Sequence, residues 1–539
     1  MFYAQTNVPF EFSLTGAKKY PDPFNEVELD VLFTGPDGAQ QRVPAFWAGG
    51  SEFRVRLAAP KAGRYTYQTA CTNEGDPGLH GRSGELDVAP YDGANPLYRH
   101  GGLKVAATRR SFEHQDGTPF FWLGDTWWMG LCKRLGWPGD FQSLTADRVA
   151  KGFSVIQIVA GLYPDMPAFD ERGANEAGFP WEKDYSRINP AYFDMADLRI
   201  DWLVRSGLVP CIVGCWGYFL PWMGVEKMKK HWRNLVARWG AYPVVWCLAG
   251  EGIMPYYLSK TKEQDAAFQR KGWTELGAYV HQIDPYRRPV TIHPGDSARN
   301  TVEDPSVLDF DMLQTGHGGY NSMPNSVDRV AESVAADPRM PVINGEVCYE
   351  GIGDACQQQV QRYAFWMCVL SGACGHTYGA NGIWQVNTRE KPYGPSPHGM
   401  AWGNTPWEDA SQLPGSAQLG LAKRLLERYN WSRFQPHPEW VEPRWTKDNY
   451  FQPYAAGIPG EVRIMYLPRF SWSPLVAKGL EPSVSWRAFL FNPTNGEEHA
   501  LGHVAPDPNG DWAILEGKRG PGHRVLPLYQ DWLAVIERT

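Results

Sequence analysis

No stretch of this 539-residue chain offers the ~18 consecutive apolar residues that crossing a bilayer requires, so a membrane is not an expected partner. Runs of lysine or arginine are also missing, and the formal net charge is −7. Phosphate backbones need a basic stripe, so nucleic acid is excluded as an expected partner too. The opening Met1-Phe2-Tyr3-Ala4-Gln5 lacks a basic segment followed by an apolar run, and no secretory signal is legible in it. Cysteines are few and odd in number, nine, and Cys211, Cys215, Cys247 and Cys348 stand inside apolar runs. They read as small buried hydrophobes in a reducing, cytoplasmic compartment; a periplasmic or secreted location would require a trimmed leader. Metal-ligand spacing is absent as well. Cys211 and Cys215 have no matching second pair and there is no His-Glu-x-x-His, so neither metal nor other cofactor is expected.

Aromatic side chains, by contrast, are abundant: 24 Trp, 25 Tyr and 24 Phe. A flat apolar face with a polar handle suits sugar rings, which present C–H faces and hydroxyl rims, although a Trp-rich core accounts for the same composition. Single hydrophobic cores stop growing at roughly 250–300 residues, so one large domain with smaller companions is expected.

Residues 1–95 alternate apolar and polar positions in short runs, as in Glu26-Val27-Glu28-Leu29-Asp30-Val31-Leu32-Phe33, broken by turns such as Gly35-Pro36-Asp37-Gly38. That spacing predicts an N-terminal β-sandwich, whose role is to buttress its neighbour or to mediate a homo-oligomer. From about residue 118 the rhythm changes to short continuous apolar runs separated by helical patterns, the signature of buried parallel strands and their crossovers. Eight strand candidates cover 120–124, 155–160, 209–214, 244–249, 290–293, 311–314, 342–345 and 375–378. Helical patterns cover 192–206, 225–239, 264–283, 326–336, 357–372 and 415–429, with Gly207 and Gly240 as candidate C-terminal caps. Eight such units over residues 96–430 predict a (β/α)8 TIM barrel in the α/β class. Alternation returns over 431–539, predicting a small C-terminal β-domain.

Barrel enzymes gather reacting groups at the C-terminal strand ends, where the βα loops converge. Those positions hold Asp125, Trp127 and Trp128 after the first strand and Glu251 after the fourth. They hold His293 at the fifth, His317 after the sixth, Glu346 after the seventh, and His376 with Tyr378 in the eighth. Glu251 and Glu346 each follow an apolar run and a glycine, where an ionised group is costly without a role or partner. The fourth and seventh strands lie on opposite sides of an eight-stranded barrel, so the two carboxylates can face each other across its mouth. Glycoside cleavage needs such a pair, one to protonate the leaving oxygen and one to meet the anomeric carbon. Rim pairing with an arginine is the bland alternative for each. Glu350 is the rival to Glu346. Asp125, His293, His317 and His376 are expected to bond sugar hydroxyls, Tyr378 to orient Glu346, and Trp127, Trp128, Trp216 and Trp384 to offer stacking faces. Asp165 and Asp170 are loop candidates for substrate contact, and the insertion 379–414, rich in Gly, Pro, Trp and Asn, is expected to cover the cleft.

The run Gly117-Thr118-Pro119-Phe120-Phe121-Trp122-Leu123-Gly124-Asp125-Thr126-Trp127-Trp128 resembles the apiosidase-like barrel family. So do Gln314-Thr315-Gly316-His317 and Asn344-Gly345-Glu346-Val347-Cys348-Tyr349-Glu350. The resemblance implies a retaining glycoside hydrolase flanked by two β-domains, with Glu251 as acid/base, Glu346 as nucleophile and a glycoside or oligosaccharide as substrate. One departure stands out. The wider clan carries Asn before the strand-4 acid, to hold the sugar 2-hydroxyl, and here that residue is Gly250, which shifts the expectation toward a furanose such as apiose or arabinofuranose. Three other readings remain open: a non-catalytic carbohydrate-binding barrel, an inverting glycosidase, and a metal-dependent hydrolase using His293, His317 and His376.

Overall fold

Eight short parallel strands close on themselves in the middle of the chain: β1 (Trp122–Thr126), β2 (Val155–Val159), β3 (Val209–Val213), β4 (Val245–Cys247), β5 (Val290–Thr291), β6 (Asp311–Gln314), β7 (Val342–Glu346) and β8 (Gly375–Tyr378). This computed structural model describes residues 1–468, 474–516 and 523–539. Hydrogen-bonded neighbours follow the order β5-β4-β3-β2-β1-β8-β7-β6. The seam between β5 and β6 is closed without a regular ladder: the Asp309 amide donates to Val290 O at 2.8 Å and the Thr291 hydroxyl to Phe310 O at 2.9 Å. The result is the TIM barrel expected from the strand count. Every strand residue except Gln314 is buried, which is why these runs read as continuously apolar.

Polar side chains inside the barrel bond to one another or to backbone. Trp122 Nε1 donates to Thr377 Oγ1 at 3.0 Å, and Gln157 Nε2 to Gly345 O at 3.0 Å. A side chain at Gly345 would place its Cβ 2.4 Å from Met312, so the glycine before Glu346 is a packing requirement.

The outer ring includes α1 (Gly139–Ala150), α2 (Pro190–Arg205), α3 (Val225–Trp239), α4 (Lys262–Ile283), α5 (Met323–Ala335), α6 (Gln358–Leu370) and α7 (Pro414–Leu426). Six of these fall where the helical patterns lie. Gly207 has the left-handed φ of +83° that a C-terminal cap uses. Gly240 differs: its φ is −59°, and it is required because a Cβ would stand 2.7 Å from Val236 O and 3.2 Å from the Tyr286 ring. The strand expected at 120–124 also divides. Pro119–Phe120 pairs antiparallel with Phe112–His114 in a separate small sheet, and β1 begins only at Trp122.

Helix α1 has no counterpart in the apolar pattern, and the reason is physical. Its buried face carries Phe141 and Leu144 but then Thr145 and Arg148, so a charge interrupts the apolar stripe. Arg148 Nε donates to Asp125 Oδ2 at 2.6 Å, and neither side chain has any exposed surface. Asp125 also accepts from Trp127 Nε1 at 2.7 Å and from the Thr126 amide at 2.9 Å. The expectation that Asp125 meets a sugar hydroxyl is therefore corrected: its acceptors are occupied inside the protein, where they tie β1 to α1.

Sheets that are antiparallel but for one pair, Phe2–Gln5 with Ser83–Ala89, pack at both flanks of the barrel. The N-terminal sandwich pairs a five-stranded sheet (Phe2–Gln5, Ser83–Ala89, Gly63–Cys71, Leu29–Thr34, Gln40–Pro44) with a three-stranded one (Phe10–Thr15, Glu52–Leu57, Phe46–Gly49). Arg56 anchors it to the barrel helices, donating to Asp197 of α2 at 2.6 Å and to Arg238 O of α3 at 2.7 Å. The C-terminal β-domain has its own apolar core around Trp440, Trp486 and Trp532. It meets α6 through Arg362, whose two arms reach Asp531 at 2.6 and 2.8 Å.

Removing one partner of a buried ion pair leaves the other charge without compensation, which typically costs about 3–5 kcal/mol. Arg148→Ala, which leaves Asp125 buried without a cation, is accordingly expected to lower the unfolding free energy by about that amount in urea titration. A loss under about 1 kcal/mol would show the pair to be dispensable.

Candidate active site

Glu251 follows β4 in a backbone conformation that L-residues rarely adopt, with φ +41°. Its position is set by the glycine before it. The Gly250 amide donates to Cys215 O and its carbonyl accepts from the Gly217 amide, both at 2.8 Å, which holds the end of β4 against the loop after β3. A Cβ on residue 250 would lie 2.1 Å from the Trp216 ring. Any side chain at 250, the expected asparagine included, would collide with that indole, so Gly250 and Trp216 are one feature. Gln314 Nε2 donates to Glu251 Oε1 at 3.2 Å.

Glu346 ends β7 and is 6% exposed. His317 Nε2 stands 2.9 Å from its Oε1 and His293 Nε2 stands 3.2 Å from its Oε2. An ionised carboxylate only accepts, so both imidazole nitrogens carry their protons toward it. The Tyr349 hydroxyl, which accepts from Trp128 Nε1 at 2.9 Å, is hydrogen-bonded to the same carboxylate.

These groups open into a cavity of about 230 Å³ at the C-terminal mouth of the barrel. Seven of the eight strand ends contribute to its wall: Trp128 after β1, Asp165 after β2, Trp216 after β3, Met254 and Tyr257 after β4, Gln314 and His317 at β6, Tyr349 after β7, and Trp384, His398 and Trp402 from the insertion after β8. Among the residues expected at a site, Glu251, Glu346, Trp128, Trp216, His317, Trp384 and Asp165 converge here. His293 stands behind Glu346 with no exposed surface, its ring against Trp128 and Trp216.

Six others do not face the cavity. Asp125 is bound to Arg148, and Trp127 packs edge-on against Phe141 of α1 with no exposed surface. His376 points out of the barrel wall toward Phe365 of α6, where burial pushes its pKa down to about 3. Tyr378 donates to Glu350 at 2.6 Å, so it orients that residue and not Glu346. Glu350, the rival carboxyl, has no exposed surface and also accepts from the Gly415 amide at 3.1 Å. Asp170 is paired with Arg172 at 2.8 Å, away from the cavity. The three histidines of the metal reading do not converge either, since His293 and His317 both address Glu346 while His376 lies in the outer layer.

Tyr349, Gln314, Met254, Tyr257, His398 and Trp402 lacked an assigned role in the sequence. Gln314 and Tyr349 sat inside the resemblance-bearing motifs, so the signal was there. The others lie in loops whose paths no periodicity reveals.

A family model described as "Apiosidase-like, catalytic domain" matches residues 106–433, more than half of the chain. The chain belongs to the apiosidase-like family. With that membership comes its class, glycoside hydrolase. A second model, a domain of unknown function (DUF5060), matches residues 5–72 of the N-terminal sandwich. No curated protein matches the chain. Among solved structures, one described as a glycoside hydrolase is 22% identical, with a TM-score of 0.66 over 82% of this chain and 98% of that one. A glycoside hydrolase family 5 protein from Bacteroides vulgatus ATCC 8482 is 21% identical, with a TM-score of 0.66 over 82% and 95% of the two chains. Another Bacteroides vulgatus structure, 17% identical, aligns over 100% of both chains with a TM-score of 0.69, so the flanking β-domains share its fold too.

In this apiosidase-like chain the two carboxyls are driven in opposite directions. Burial pushes the Glu251 carboxyl up, and the neighbouring negative charge of Glu346 pushes the same way. Burial would raise Glu346 as well, but hydrogen bonds from His293 and His317 and their positive character outweigh it and hold the group well below the usual carboxylate range. His317 answers in kind: burial would lower it, yet its bond to Glu346 keeps its pKa raised. One carboxyl is therefore pushed toward its protonated form beside another held toward its ionised one.

A raised folded-state pKa contributes stability that is present at low pH and lost as pH rises through the folded value. Glu251→Gln, neutral at every pH, is thus expected to melt at a higher temperature than wild type at pH 8 and at the same temperature near pH 4. An equal or lower melting temperature at pH 8 would show that the Glu251 carboxylate is not held against its charge.

Proposed function

We propose that this apiosidase-like enzyme is a retaining glycosidase acting from chain ends, with Glu346 as nucleophile and Glu251 as acid/base. The observation that carries the reading is the opposed electrostatics of the pair, one carboxyl stabilised as an anion by two imidazoles and the other destabilised as an anion by burial and by its neighbour. In the first step a Glu346 oxygen forms a bond to the anomeric carbon while the glycosidic C–O bond breaks, and the proton on Glu251 goes to the departing oxygen. In the second, Glu251 as carboxylate takes a proton from water, which displaces Glu346 from the anomeric carbon and restores both groups. Tyr349, His293 and His317 keep the nucleophile oriented throughout.

A furanose such as apiose or arabinofuranose is supported by two features. Trp216 fills the space an asparagine at 250 would use to hold a pyranose 2-hydroxyl. A cavity of about 230 Å³ falls below the roughly 300–1,000 Å³ of sites for drug-sized ligands, and suits one terminal ring better than an internal stretch of polymer.

A panel of aryl furanosides and pyranosides tests this. Furanosides are expected to turn over fastest. General acid catalysis contributes about 10²–10⁴-fold, so Glu251→Ala is expected to lose that much on phenyl glycosides and far less on 2,4-dinitrophenyl ones, whose leaving group needs no proton. Glu346→Gln is expected to abolish turnover on both. Retention of activity by Glu346→Gln within about tenfold would remove the nucleophile assignment.

A further inference from the structure

On one wall of the cavity a carboxyl is held that neither step above uses. Asp165, in the loop after β2, has φ +55°, is 7% exposed and lines the pocket. Non-glycine residues persist in this backbone region only where their surroundings force them there, and such residues gather at ligand sites; Glu251, at φ +41°, faces the same cavity. The Tyr257 hydroxyl donates to Asp165 Oδ1, and the His398 ring lies flat on Tyr257, centroids 4.6 Å apart at 14°. Three loops thus converge to position one carboxyl. That carboxyl is near enough to Glu251 to be felt there as negative charge.

A carboxylate has about four acceptor positions, and the Tyr257 hydroxyl and the Trp402 indole do not exhaust them. What the wall lacks is equally informative, for among the described residues neither lysine nor arginine lines this cavity. Of the two histidines among the described residues of the wall, His317, raised by that same bond, is engaged with Glu346 at 2.9 Å, and His398 Nδ1 is engaged with Ser396 Oγ at 2.8 Å. An anionic sugar would find Glu346 and Asp165 and, among the described residues, no lysine or arginine to pair with.

Building on the glycosidase reading above, we propose that Asp165 is a specificity-determining residue, accepting hydroxyls of a neutral terminal sugar and excluding sugars that carry a carboxylate or sulfate. A buried acceptor built for a hydroxyl penalises an analogue lacking it, because the acceptor is then left unpaired. The contact is made in ground and transition states alike, so its loss falls on KM more than on kcat.

The test uses p-nitrophenyl glycosides of neutral sugars and of the matching uronic acids. Wild type is expected to favour the neutral member by at least about 100-fold in kcat/KM, about the loss when a like charge replaces a hydrogen bond in a partly buried site. Asp165→Asn is expected to raise KM for the neutral substrate about tenfold, to change kcat less than about threefold, and to narrow the preference over the uronide at least tenfold. Deoxy versions of the preferred sugar, given to wild type, provide the same reading without a variant: one of them is expected to lose about tenfold in KM. Calorimetry of the methyl glycosides and methyl uronides with Glu346→Gln reads recognition without turnover, so a chain that binds but does not cleave still decides the question. Equal handling of neutral and uronic sugars by wild type would overturn the proposal. So would an Asp165→Asn variant with unchanged KM and unchanged preference. Absence of turnover on every glycoside, with neutral sugars still bound in preference, would count against the hydrolase reading alone.

Discussion

Glu346 keeps a negative charge in a place almost without water, and much of the barrel mouth is arranged around that fact. An isolated carboxylate at 6% exposure would take up a proton. Here His293 and His317 approach its two oxygens from β5 and β6, and Tyr349 joins from the loop after β7. Each donor is itself positioned: Trp128 donates to Tyr349, and Trp128 and Trp216 pack on His293. Five segments of the barrel meet at one side chain, so its geometry is inherited from the closure of the sheet.

The same charge reaches across the cavity and makes Glu251 a reluctant anion. That coupling gives a division of labour without any difference in residue type: two glutamates, one surrounded by donors and the other by burial and a like charge. Stability is given up to obtain it. Glu251 and Asp165 both sit in left-handed backbone, and both, the first half-buried and the second buried, are carboxyls lining one pocket. Elsewhere buried charge is neutralised locally, as in Asp125 with Arg148, Asp197 with Arg56 and Arg238, and Asp531 with Arg362.

Much of this was legible in the sequence, and the exceptions have physical causes. Parallel strands buried on both faces leave apolar runs that can be counted, and the two glutamates were found by asking what ends the fourth and seventh. The neighbours of those glutamates were harder to identify. Residues at a strand end point alternately into and out of the barrel, and a slip of one position exchanges the two. His376 and Tyr378 thus looked equivalent to His293 in the sequence, yet they serve the outer layer and Glu350. Asp125 looked like a free rim carboxyl because its partner Arg148 lies on a helix whose apolar stripe that arginine interrupts. Asp165 drew notice only as a loop residue; Tyr257 and His398, which position it, come from loops distant in sequence.

The central claim is that Glu346 bonds to the sugar. A 2-deoxy-2-fluoro glycoside with a good leaving group should form the glycosyl-enzyme quickly and release it slowly. The account predicts a protein heavier by one fluorosugar, with the label mapping by peptide mass spectrometry to Glu346. A label on Glu251 or Glu350, or a protein that turns over the normal substrate with inversion at the anomeric carbon and never takes up the label, would contradict it.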